Sequence, residues 1–122
     1  MTEIRVFRRG WKDRRWYKGL KKLPPDEQER IKSAIRDLVA DLMVCTHPTL
    51  DPRMFRWVPT KYHSHGRQRK YGAWYEYRLG DPKNAARVIV CHDTEERVLH
   101  LVARTVTHDH DRLQVLIKTF RP

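Results

Sequence analysis

Residues 74–105 read WYEYRLGDPKNAARVIVCHDTEERVLHLVART, and this stretch decides the fold. Three apolar, aromatic and β-branched runs, Trp74–Leu79, Arg87–His92 and Val98–Thr105, are separated by two polar turns, 80–84 and 93–96. Such residues suit a pleated, half-buried surface, whereas Gly, Pro, Asp and Asn mark where the chain reverses. Short connections join antiparallel neighbours, so the spacing predicts a meander. Its last strand is apolar on both faces and belongs in the middle of a sheet.

Working outward, Glu3 to Arg8 alternate Ile4 and Val6 with Arg5 and Phe7, which reads as a first strand. Trp11 to Lys22 reads as a basic helix with Trp11, Trp16, Tyr17 and Leu20 inward, broken by Pro24-Pro25. Pro25 then suits a first helical position, and Asp26 and Glu27 follow where the helix dipole favours acids. Ile31, Ala34, Ile35, Leu38, Val39, Leu42 and Met43 recur at steps of three and four, an amphipathic helix of about five turns. Its other face carries Arg30, Lys32, Arg36, Asp37 and Asp41. On the C-terminal side, Leu113, Leu116, Ile117 and Phe120 give the segment from Asp109 to Phe120 helical spacing. Residues 44–72, with Pro48, Pro52, Pro59, Gly66 and Gly72, read as an extended basic connection, long for a compact domain. The expectation is one α+β domain over residues 1–122.

The chain has 122 residues with 26 Lys+Arg against 15 Asp+Glu, a formal charge of +11. No run approaches the roughly 18 apolar residues of a membrane span, and the N-terminus lacks the apolar centre of a signal peptide. Cys45 and Cys91 make no disulfide framework, so a reducing, cytoplasmic setting is expected. The cationic excess makes nucleic acid the leading partner class, because each neutralised phosphate releases counterions. An anionic membrane surface or an acidic protein would also suit that sign.

The order strand, two helices, three strands, helix, together with WYEYRLGDPKNAARVIV and ARTVTHDHDRL, resembles the bacterial RelE/ParE toxin superfamily. The local likeness is to its YafQ-like endoribonucleases, in which an Arg-Thr-x-Thr-His run ends the fourth strand; here it is Arg104-Thr105-Val106-Thr107-His108. The resemblance implies an antiparallel sheet of about four strands, packed by two N-terminal helices and followed by a C-terminal helix. It also implies a metal-independent endoribonuclease that cuts mRNA, commonly on the ribosome, and an acidic antitoxin partner covering the basic face. No cofactor is implied.

Cleaving RNA through its 2′-hydroxyl needs a base, cations for the phosphorane charge and an acid for the leaving oxygen. The resemblance puts a catalytic histidine or basic residue at His108 and a phosphate-binding arginine at Arg87. Arg78 shares a strand face with Trp74 and Glu76, and Glu76 is either a base or the partner of Arg78. His110 either replaces or assists His108. His63 and His65 in YHSHGRQRK are further candidates with no role carried over. In residues 53–71, Arg53, Arg56, Lys61, Arg67, Arg69 and Lys70 interleave with Phe55, Trp57, Tyr62 and Tyr71. Cations hold phosphates and aromatic faces stack bases, so these residues, with Tyr71 and Arg104, are the expected RNA contacts.

His63-x-His65, Cys91-His92 and His108-x-His110 lack the spacing of a zinc motif, so no metal site is expected. The resemblance is imperfect. Some relatives carry a late Tyr where this chain has Leu113, Val115 and Leu116, and Glu76 stands where some have Lys. Two alternatives therefore stay open: a ParE-like gyrase inhibitor, and a non-catalytic member of the fold that binds RNA or protein.

Overall fold

A computed structural model describes residues 3–44, 54–56, 71–80, 86–107 and 109–122. In chain order the elements are β1 (Glu3–Val6), α1 (Arg8–Trp11), α2 (Arg14–Lys21), α3 (Pro25–Val44), β2 (Met54–Arg56), β3 (Ala73–Leu79), β4 (Ala86–Asp93), β5 (Val98–Thr105) and α4 (His110–Thr119). The α+β class is as expected, and the meander β3–β4–β5 is antiparallel throughout.

The sheet differs from expectation at both edges. It has five strands in the order β1-β5-β4-β3-β2, with β2 inside the segment read as a connection. It is mixed rather than antiparallel, because β1 runs parallel to β5, pairing Glu3 with Val98 and Val6 with Leu101. The helices between β1 and the meander free its direction from the antiparallel rule of a short turn.

β3 and β4 alternate, β5 alternates on either side of a bulge, and both faces are covered. One face turns Tyr75, Tyr77, Val88, Val90, Leu99 and Leu101 toward Trp16 and Leu20 of α2 and Ile35, Leu38 and Leu42 of α3. The other turns Trp74, Ile89 and Cys91 toward Leu113, Leu116 and Ile117 of α4 and the adjoining Phe120. Aliphatic spacing in α3 thus placed its inner face, although Met43 and Tyr17 are exposed.

The expected helix over 11–22 is broken at Asp13, whose backbone is extended at φ −64 and ψ 142. Asp13 stands at the cap of α2 without capping it. Its carboxylate instead accepts from Arg112 of α4, with Nε to Oδ2 at 2.9 Å. Beyond the break, α1 comes close to the centre of the sheet. Ile89 pairs with Ala103 and Val90 with Leu101, which leaves Val102 as a bulge. A Cβ on Gly10 would lie 1.9 Å from the Val102 carbonyl oxygen, so only glycine fits against the bulge.

Candidate functional site

Strand parity puts Glu76 and Arg78 of β3, Arg87 of β4 and Thr105 of β5 on the face that α4 covers, toward the end where β5 leaves the sheet. Arg78 stands opposite Arg87, and Arg87 opposite Thr105, in one line across three strands. Two guanidinium stems directly across a ladder would repel each other. Glu76, two residues from Arg78 on the same face and diagonal to Arg87, offsets this: its Oε1 lies 3.2 Å from Arg87 Nε. Glu76 thus meets Arg87, the residue read from sequence as the phosphate ligand.

The pair is nearly inaccessible, with side chains 2% exposed at Arg87 and 3% at Glu76, whereas Arg78 is half-buried. Burying an ion pair costs desolvation that mutual attraction repays only with good geometry, so its presence favours specificity or function over net stability. Chemically the cluster is a concentration of positive charge held by one carboxylate. Such a group can neutralise a phosphate oxygen and the charge that builds on phosphorus.

β5 then turns into α4. The Thr105 hydroxyl donates to the Thr107 carbonyl at 2.6 Å, and the Asp109 amide donates to the same oxygen at 2.9 Å. Asp109 caps α4 by accepting from the Arg112 amide at 3.0 Å, which fixes where the helix begins. His110 is the first residue of α4 and is half-buried. His108, the first-choice catalytic residue, lies outside the described residues. So do Arg53, Lys61, His63, His65, Arg67, Arg69 and Lys70. Arg56 belongs to β2, where it is in register with Tyr75.

Two of the expected RNA contacts, Arg104 and Tyr71, lie among the described residues. Arg104 projects to the α2 side, away from Arg87. Its guanidinium lies 4.9 Å from the Trp11 ring centre and 4.4 Å from that of Trp16, and its Nε donates to the Trp11 carbonyl at 2.7 Å. Burial lowers its pKa, opposed by smaller contributions from Tyr17. Arg104 thereby ties α1 and α2 to the sheet. Tyr71 is half-buried and packs edge-on against Phe120 with ring centres 5.6 Å apart. Phe7, Trp74 and His100 meet the same ring, so Phe120 closes an aromatic cluster at the far end of the face.

Among the described residues, no three His, Cys, Asp or Glu side chains converge as metal ligands. Cys91 and His92 project to opposite faces of β4. Burial pushes the Cys91 thiol well above its ordinary range, so it is no nucleophile near neutral pH. His100, which sequence reading passed over, is buried beside Phe120. Desolvation and then the Arg5 charge lower its pKa, against smaller opposing contributions from Asp93 and Glu3. Sequence reading also missed the Asp13–Arg112 pair. The available signal was a lone acid among eight cations in residues 8–22.

No family model and no curated protein matches the chain. Among solved structures, a mutant of the E. coli toxin RelE in the free state aligns over 98% of both chains, at 15% identity and a TM-score of 0.45.

Proposed function

We propose that the protein is the toxin of a bacterial toxin–antitoxin pair and a metal-independent endoribonuclease that cuts mRNA at the ribosome. The observation that carries this reading is the line Arg78–Arg87–Thr105, with Glu76 against Arg87, at the sheet end that leads into the Thr107–Asp109 turn. The resemblance of Arg104-Thr105-Val106-Thr107-His108 to the YafQ-like run and the formal charge of +11 support it.

In the reaction, a base removes the 2′-hydroxyl proton and the 2′-oxygen forms a bond to phosphorus. The bond from phosphorus to the 5′-oxygen then breaks, and an acid protonates that oxygen. The products are a 2′,3′-cyclic phosphate and a 5′-hydroxyl, with no redox change. Arg87 and Arg78 are assigned to the non-bridging phosphate oxygens, where a guanidinium stabilises charge better than it transfers protons. Glu76 orients Arg87. His108, assisted or replaced by His110, supplies acid and base, as imidazole does near neutral pH. An acidic antitoxin would neutralise the same cations.

The test is primer extension on a reporter mRNA after brief induction in bacteria, with His108→Ala, Arg78→Gln and Arg87→Ala beside the wild type. Far-ultraviolet circular dichroism establishes that each variant is folded. Discrete new 5′ ends that disappear in the variants are expected. The purified protein should also cut in excess EDTA and leave cyclic phosphate termini. Intact mRNA both with and without translating ribosomes would sink the reading. The 2% exposure of Arg87 favours a second one, a non-catalytic binding member in which Glu76–Arg87 is purely structural. Normal growth on induction would select it.

A further inference from the structure

A groove of about 510 Å³ runs between α2 and the β5–α4 turn. Its apolar lining comes from Trp16, Leu23 and Val106, and its rim is basic. Arg15, Lys18 and Lys22 come from the α2 side and Arg112 from α4. The first three are spaced at i, i+3 and i+7, one face of a helix, and at 1.5 Å rise per residue they form a row about 10 Å long. All three are exposed. None forms an ion pair with another described residue, whereas Arg30 and the partly exposed Lys32 of α3 are paired with Glu27 and Glu29.

The two acids in the groove are already engaged. Asp13 holds the Arg112 guanidinium, and Asp109 caps the Arg112 amide. Among the described residues, the field along the α2 row is therefore positive, with no unengaged carboxylate in the groove to offset it. Thr105 lines the groove and also stands opposite Arg87, so the groove and the candidate site meet at the end of β5, although α2 itself packs on the other face of the sheet.

We infer that this groove holds the sugar–phosphate backbone of a single-stranded polynucleotide, with Arg15, Lys18 and Lys22 on successive phosphates. Protein interfaces are depleted in lysine and built on aromatic anchors. This rim is two lysines and an arginine, and the aromatic ring in the lining, Trp16, is itself buried, so the groove presents cations for phosphates rather than an aromatic anchor. The inference deepens the reading of RNA as substrate but does not depend on cleavage.

The test uses the full chain and a fluorescent 2′-O-methyl oligouridylate of about a dozen nucleotides, read by anisotropy across a salt series. With no free 2′-hydroxyl this probe cannot be cut, so binding and cleavage fail separately. Replacing Arg15, Lys18 and Lys22 together by Gln should weaken binding roughly 50-fold at about 0.15 M salt. It should also lower the salt slope by about 2, the weight of three counterions at roughly 0.7 each. Arg30→Gln, Lys32→Gln and Arg36→Gln on α3, the same loss of charge elsewhere, should leave the slope nearly unchanged. Equal losses in the two triple variants would overturn the groove in favour of a diffuse field. Polyglutamate competing as strongly as the oligonucleotide would overturn it in favour of an acidic protein.

Discussion

Replacing Glu76 by Gln removes the carboxylate that faces Arg87 while keeping its shape. The guanidinium, 2% exposed, then carries its charge without that carboxylate. Removing one member of such a pair costs about 3–5 kcal/mol. That is a large part of the roughly 5–15 kcal/mol that holds a domain folded. With a urea dependence of about 1–3 kcal/mol per molar, the unfolding midpoint should fall by roughly 2 M. Arg87→Met should cost a similar amount, because it strands the carboxylate. The double variant Glu76→Leu with Arg87→Met removes both buried charges, leaving only the half-buried Arg78, and should come within about 1 kcal/mol of the wild type, or exceed it. The double-mutant cycle would thus return a coupling of several kcal/mol. Single variants that cost little, with a coupling under about 0.5 kcal/mol, would refute a buried pair in solution. The stable double variant also isolates function: if it still cuts mRNA at the wild-type positions, Arg87 has no part in the chemistry.

Three further outcomes follow from packing and charge. Gly10→Ala puts a Cβ 1.9 Å from the Val102 carbonyl and should destabilise by about 3 kcal/mol or more. Gly19→Ala meets only the Val106 side chain at 3.3 Å and gains about 1 kcal/mol of helix propensity, so thermal melts should separate the two variants clearly. Phe120→Ala removes one ring from four edge-on contacts and should cost about 3–5 kcal/mol, with amide exchange accelerated first in α4. His100 has a folded pKa below its ordinary 6.5, so the unfolded chain takes up that proton first and stability falls as pH drops through 6.5. In His100→Gln that part of the decline should vanish, measured as the difference between urea midpoints of variant and wild type across pH 7.5 to about 5.

The meander was legible because its three runs and two turns are local signals, and β5 was recovered at its observed bounds, Val98–Thr105. The inner face of α3 followed from spacing alone. The parallel pairing of β1 with β5 was not legible, since it joins Glu3 to Val98 across most of the chain and no local pattern encodes it. Nor was β2, whose three residues are too few for an alternation to register. The break at Asp13 depends on Arg112, ninety-nine residues away. In the candidate site, sequence parity rightly placed Glu76 and Arg78 on one strand face. Which arginine Glu76 would meet depended on strand register, which no single strand contains. The surroundings of Arg104 were not legible for a similar reason: the bulge at Val102 shifts the parity of the strand after it, and the two tryptophans that receive its guanidinium lie in helices near the other end of the sequence.

The cations divide by partner rather than by position in the sequence. Arg87 is set against Glu76, Arg112 against Asp13, and Arg104 between two indoles and a carbonyl. Each is buried or half-buried, and none is free to answer a diffusing polyanion. The α2 row is the opposite case, exposed and with no ion pair to another described residue. Long-range attraction and its salt dependence therefore come from exposed cations such as this row, since exposed charges steer association over about a Debye length. The arginines beneath α4 act only at contact. A protein built this way should lose association rate when the α2 row is neutralised, and lose chemistry rather than capture when Arg78 is replaced by Gln. Stopped-flow association beside single-turnover cleavage separates the two, and equal effects of both substitutions on association would break the division.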